Sequence, residues 1–300
     1  MVGYAESGST TSTQLTASSG ELSVVGVDGV NVTRDGAAVT PVSAEALQLL
    51  HEAHARHRSA ELLVGNFDDR IGDFSPAIGD ALLGSPSNID SVVAQLAAEV
   101  QKHGWDGVTI DLESLSGRHP AGLTRLVTEL QHRLGAHHDV SICLMATTDH
   151  YADLGYDLRA LGRAADHVVL MAYDQHGPTW SGPGPIGGTP WVKQTLRPLQ
   201  QTIPALKIEL GIAGYGYTWP RRGTGSQVSD VTARHLTEHN APVWDATQQE
   251  WRATTPSGTF VWWSDRKTIA ARIAFARTQH LGGIAVWSLG LSDPLPDTAS

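Results

Sequence analysis

Short apolar runs recur along the chain, and longer segments whose apolar residues return every three or four positions separate them. The runs are LSVVGV, ELLVGNF, GVTIDLE, VSICLMA, HVVLMAYD, KIELGIAGYGY and GIAVWSLG. Such Val-, Ile- and Leu-rich stretches predict strands buried on both faces. The segments between them carry helix start and stop signals. Ser43 precedes AEALQLLHEAHARH, Asn88 precedes IDSVVAQLAAEVQKH, Pro120 opens a segment ending at Gly135, Thr189-Pro190 opens WVKQTLRPLQQ, and Ser264 precedes DRKTIAARIAFARTQH. Strand and helix take turns, which predicts a parallel sheet covered by helices. AAVTPV, after the Asp35-Gly36 turn, is the candidate for an eighth strand.

An open doubly wound sheet and a closed eight-stranded barrel both fit this alternation. The open sheet usually binds a nucleotide, yet no Gly-rich phosphate loop follows the first run, and GVDGVN does not match the fingerprint. The barrel is favoured: an α/β chain forming a (β/α)8 barrel, with a small insertion between strands 7 and 8. Residues 1–20, mostly Ser, Thr and Gly, read as a flexible leader, and 21–295 as the barrel. The insertion, 220–262, holds Trp244, Trp251, Trp262 and Trp263, which are expected to pack on one another.

Charge narrows the partner. The 300 residues carry a formal net charge of -10 and no Lys/Arg run, which disfavours nucleic acid and anionic membranes as partners. A neutral substrate fits better. No apolar stretch approaches membrane-spanning length, and the N-terminus lacks a signal-peptide pattern. The single cysteine, Cys143, sits in an apolar run and reads as core. Three histidines in HEAHARH lack zinc-protease spacing and read as a solvated helix face, so no metal or cofactor is expected.

The chemistry concentrates at strand ends. In WDGVTIDLESLSG, residues two apart share a face, so Thr109, Asp111 and Glu113 point into the barrel, with Glu113 nearest its open end. Asp106 has the opposite parity and is expected to fix the start of the strand. Two carboxyls about 6 to 7 Å apart on one strand cannot flank a glycosidic bond from opposite sides. Burial and mutual repulsion would keep Glu113 protonated as a donor, leaving Asp111 to orient or stabilise some other nucleophile. Other unusual side chains at this mouth are Asn66, Tyr173, Asp174, Tyr217 and Trp287.

DGVTIDLE resembles the D-G-x-D-x-D-x-E signature of glycoside hydrolase family 18, the chitinase-like hydrolases. MAYD (Met171 to Asp174) is similar to their M-x-Y-D motif, and Trp287 falls where their last strand carries a tryptophan. The wording GNF, MAYDQHG and GIAGYGYTW is most similar to the spore-cortex-lytic N-acetylglucosaminidase branch. The resemblance spans roughly residues 21–292 and implies a TIM barrel. It also implies substrate-assisted, retaining cleavage of β-1,4 bonds in N-acetylglucosamine-containing polysaccharide, with peptidoglycan favoured over chitin. Carried over, Glu113 is general acid and base, Asp111 steadies the acetamido nitrogen, and Tyr173 bonds the acetamido oxygen. Asp174, Met171 and Trp287 are then expected to form the sugar subsite, with Asn66 and Tyr217 as further substrate contacts. One departure is Thr109, which stands where the signature has a middle Asp and cannot share a proton as a carboxylate can. The resemblance further implies a secreted or wall-associated monomer. The competing readings are a non-catalytic chitinase-like lectin, which retention of Glu113 opposes, and an endo-hydrolase of another acetamido glycan.

Overall fold

The structure, a computed structural model, describes residues 1–297. Eight parallel strands close a barrel: β1 (Val2–Glu6), β2 (Val24–Asn31), β3 (Ser59–Gly65), β4 (Gly107–Asp111), β5 (Asp139–Met145), β6 (His167–Met171), β7 (Ile208–Ala213) and β8 (Gly283–Trp287). Each pairs with its neighbour in the chain, and β8 returns to β1 through Val2–Ala285 and Gly3–Val286. Strand parity divides the core. Outward residues such as Val25, Leu62, Ile110 and Ile142 pack with helix residues such as Leu50 and Leu96. Inward residues Tyr4, Leu63, Cys143, Val169, Met171 and Ala285 form a second cluster inside the barrel.

Two expectations are corrected here. Residues 1–20 are not a leader: Val2–Glu6 is the missing eighth strand, and Ser12–Ser18 is a helix with a capping box between Thr11 and Gln14. The segment is too short and too polar to show a strand period, but pairing on both sides compensates. Val2 and Tyr4 fill the interior, while Gly3 lies so close to Leu22 and Leu289 that a Cβ would come within 2.8 Å of each. AAVTPV contributes no barrel strand, only an isolated Val32–Val39 bridge.

The helix expected to start after Asn88 begins two residues before it, at Pro86, with Ser85 as its cap. The run KIELGIAGYGY also divides. Ile208–Ala213 is β7, the chain turns at Gly214, and Tyr215–Trp219 joins a separate five-stranded antiparallel sheet. That sheet, with Gln227–Ser229, Val243–Asp245, Glu250–Thr254 and Phe260–Trp263, forms the insertion. Its tryptophans pack together: Trp251 stacks on Trp263 at 6.1 Å and meets Trp244 edge-on.

Acidic side chains also sit low in the barrel. Glu61 and Glu209 point inward, both buried, and Thr109 Oγ1 donates to Glu61 Oε2 at 2.6 Å. Burial pushes Glu61 up to about 7 and Glu209 up to about 8. Both bind a proton more tightly folded than unfolded. Their contribution to stability is therefore complete at acid pH, below the ordinary glutamate value, and is lost as pH rises through 7 to 8. The melting temperature should fall by about 5 °C between about pH 5 and pH 9, and Glu61→Gln should flatten part of that slope. Calorimetry across this range checks it, and a melting temperature that does not fall would refute it.

Candidate active site

The C-terminal ends of the strands surround a cavity of about 520 Å³. Its lining includes Asp73, Asp111, Glu113 and Asp174 but no Lys, Arg or His. A more open hollow of about 640 Å³ around Arg34 and Asp68 shares none of these residues. Asp111 is buried and Glu113 half-buried, so these two are costly to ionise together, because they lose water and repel each other. Burial first, then Asp111, Asp174 and Asp73, hold Glu113 well above the ordinary carboxyl range. Asp111 is raised as well, chiefly by burial and then by Asp28. The two titrate as a pair. A singly protonated pair near neutral pH can donate a proton from one member while the other stays charged.

Asp111 ends β4, and Glu113 lies just beyond it, separated by Leu112, which packs outward into the core. Asn66 fixes the turn. Its Oδ1 accepts from Glu113 N at 2.8 Å, and its Nδ2 donates to Glu113 O at 2.9 Å and to Ser75 O at 3.0 Å. With all three bonds spent on backbone and no exposed surface, Asn66 is a brace and not the sugar contact expected of it.

Two strands round the barrel, Asp174 follows β6 in the left-handed region at φ 59°, uncommon for a residue other than glycine. Its Oδ1 accepts from Tyr215 at 2.6 Å and from Tyr217 at 2.9 Å. The two hydroxyls offset part of the burial that raises its pKa. Tyr217 is buried, committed to that bond and absent from the cavity lining, so it holds Asp174 and is not placed as the substrate contact expected of it. Glu250, from the insertion, accepts from Ile186 and Gly187 N, both at 2.7 Å, which ties down the loop after Asp174. His176 braces the same loop through Pro185 O at 2.9 Å.

Trp287, at the end of β8, and Tyr173 border the cavity, with Tyr4 against Trp287 at 5.7 Å. Met171 belongs to the interior cluster and does not line the cavity; its ladder partner Met145 takes the lining position. Asp106 Oδ2 accepts from Ala60 N at 2.7 Å and pairs with His54, as its parity predicts. Among the described residues no group of three or more His, Cys, Asp or Glu is arranged to hold a metal ion.

Residues 11–292 match the model of "Glycosyl hydrolases family 18". The chain belongs to this family. Family 18 relatives include the "Uncharacterized glycosylase YvbX" of Bacillus subtilis, 26% identical over 76% of this chain and 70% of that one. The "Cortical fragment-lytic enzyme" of the same species is 26% identical over 91% of this chain and 66% of that one. Among solved structures, a chitinase from Chromobacterium violaceum superposes with TM-score 0.85 at 29% identity, covering 98% of this chain and 95% of that one. The Bacillus cereus spore cortex-lytic enzyme SleL superposes with the same TM-score at 22% identity, covering 99% and 72%.

Several side chains of this family 18 cavity escaped sequence reasoning. Trp180, half exposed and edge-on to Tyr217 at 5.7 Å, sits in a loop of Gly and Pro with no periodic signal. Phe74 and Asp73 belong to a two-stranded hairpin that packs Phe67 against Phe74. Asp28, raised to about 6 by burial and then by Glu6, did carry a signal: it has the inward parity of Val24 and Gly26 on β2. Asn66→Ala should lower unfolding stability by about 2 kcal/mol, because it strands the Glu113 backbone groups. Denaturant titration checks it; an unchanged midpoint would return Asn66 to the list of sugar contacts.

Proposed function

We propose that the chain is a retaining hydrolase of β-1,4-linked N-acetylglucosamine glycans in which the substrate's acetamide oxygen is the nucleophile. The observation that carries this reading is the placement of Asp111 and Glu113 on one wall of a cavity whose charged side chains are all acidic. A retaining enzyme with its own nucleophile needs a free carboxylate facing the acid across the bond. The other carboxylates in the lining are Asp174, whose Oδ1 is held by two tyrosine hydroxyls, and Asp73, on the exposed hairpin at the rim, and this reading assigns the nucleophile to the sugar.

In this reaction Glu113, kept protonated by burial and its acidic neighbours, donates to the departing oxygen and afterwards deprotonates the attacking water. Asp111, ionised, accepts the acetamide N–H and stabilises the positive charge that develops as its oxygen attacks the anomeric carbon. The Tyr173 hydroxyl donates to that oxygen and aims it. Trp287 floors the sugar ring, an apolar face against an apolar face. The acidic lining repels carboxylates, so in peptidoglycan the unsubstituted, neutral N-acetylglucosamine, and not the muramic acid that bears a lactyl arm and an acidic stem peptide, occupies the position over Trp287. Relatives named for cortical-fragment lysis and for chitin cleavage both fit a substrate of this class. The curated relatives YvbX and the cortical fragment-lytic enzyme are spanned to 70% and 66% of their lengths, so wall anchoring and export are part of the proposal. We place the enzyme in the cell wall or the medium, acting as a monomer.

Glu113→Gln should lower turnover by about a thousandfold or more while leaving oligosaccharide binding within a few-fold. Asp111→Asn should act on rate far more than on affinity. Kinetics with chitin oligomers, and mass spectrometry of products from purified peptidoglycan, check both. New reducing ends on N-acetylglucosamine are expected; undiminished turnover by Glu113→Gln, or ends only on muramic acid, would reject the assignment.

A further inference from the structure

Thr109 replaces the second acid of the family signature, and its hydroxyl is not available to Asp111. It donates downward, at 2.6 Å, to buried Glu61. Asp111 is almost wholly buried, and its Oδ1 has no hydrogen-bond partner. Something else must hold this carboxylate. On the neighbouring strand, Ile110 pairs with Ile142 and Thr109 with Ser141, so the next inward positions, Asp111 and Cys143, lie side by side across the ladder. Cys143 is buried, and the Tyr4 hydroxyl lies 3.6 Å from its sulfur. Gly26 makes this possible: a Cβ there would stand 2.4 Å from the Tyr4 ring.

We propose that the Cys143 thiol, oriented by the Tyr4 hydroxyl, positions Asp111 in place of the missing second carboxylate, donating its proton to the charged form of Asp111. This rests on the substrate-assisted reading above. A thiol has one proton to give. If that proton points to Asp111, the Tyr4 O–H donates to sulfur, and the three groups form a directed chain from β1 through β5 to β4. Burial, and then the neighbouring Asp111, raise Cys143 well above its ordinary value and keep it a neutral donor. Its bond to Asp111 opposes the burial and the Asp28 charge that raise the carboxylate. A second carboxylate would have to take up or release a proton when Asp111 changes partner. A thiol keeps its own proton throughout. Asp111 is thus held charged by a neutral donor, and the acetamide N–H finds it already ionised.

Other titratable groups face this site. Asp28 approaches from β2, Glu61 from β3, and Glu113 from beyond β4. Tyr156 approaches from the segment after β5, with Tyr173 and Asp174 from the segment after β6. All of these remain in the variants below, so a change in pH profile reports the thiol.

Steady-state kinetics of the full chain on a chromogenic chitobioside test the assignment. Cys143→Ala should lower kcat about tenfold with KM changed less than about twofold. It should also move the acid limb of kcat/KM upward by about half a unit, because the carboxylate has lost a donor to its charged form. Cys143→Ser, which restores a hydroxyl donor, should recover both to within about twofold. Tyr4→Phe keeps the thiol and most of the packing, and should lower kcat by about threefold without moving KM. It serves as the test if Cys143→Ala fails to fold. An unshifted acid limb and full kcat in Cys143→Ala, or a Cys143→Ser variant as impaired as Cys143→Ala, would overturn the proposal while leaving substrate-assisted cleavage intact. A parent protein that cleaves no acetamido glycoside would overturn both.

Discussion

Desolvated carboxyl groups with no compensating cation are the constraint from which the site follows. In most proteins a buried acid is matched by an Arg, a Lys or a metal, and is then ionised and inert. The cavity lined by Asp73, Asp111, Glu113 and Asp174 has no such partner in its lining. Those acids withdrawn from water must be neutralised by a proton or held by neutral donors. Asp174 takes two tyrosine hydroxyls, and Glu113 is driven toward the protonated form. An acid that keeps its proton at neutral pH is what leaving-group protonation requires, so the electrostatic cost of the arrangement and its chemical use are the same fact.

The barrel supplies the geometry that sustains this cost. Parallel strands bring inward residues of adjacent strands into register, so a carboxyl on β4 finds its neighbours on β3 and β5 without any loop being involved. The interior rises in register: Thr109, bonded to Glu61, stands beside Ser141, and above them Asp111 stands beside Cys143, against which the Tyr4 hydroxyl lies. The loops of the mouth are braced from outside, by Asn66 on the Glu113 backbone and by Glu250 of the insertion on the loop after Asp174. The insertion therefore helps to build the site's wall in addition to packing its own tryptophans.

Periodicity made seven barrel strands, the helices between them and the inward parity of Asp111 and Glu113 legible in the sequence. The eighth strand was not. VGYAE is five residues long, and its burial comes from β2 and β8, far away in sequence, which no local pattern records. The same reason hid the break at Gly214, where an uninterrupted apolar run changes sheets. Asn66 and Tyr217 were rightly drawn to the mouth, but a side chain's position does not reveal where its hydrogen bonds go. Thr109 bonding Glu61 and not Asp111 is a further instance: sequence shows that an acid is missing, and only the three-dimensional arrangement shows what stands beside the one that remains.

The central claim is that the substrate's own acetamide carries out the nucleophilic attack. It is tested most directly by rates on a series of aryl chitobiosides whose N-acetyl methyl group carries none, one, two or three fluorines. Each fluorine weakens the carbonyl oxygen as a nucleophile while changing the ring and leaving group little. The account predicts a steep, monotonic fall in kcat/KM along the series, reaching about a thousandfold or more by the trifluoro member. A flat series would mean that the protein or water attacks, and would contradict it.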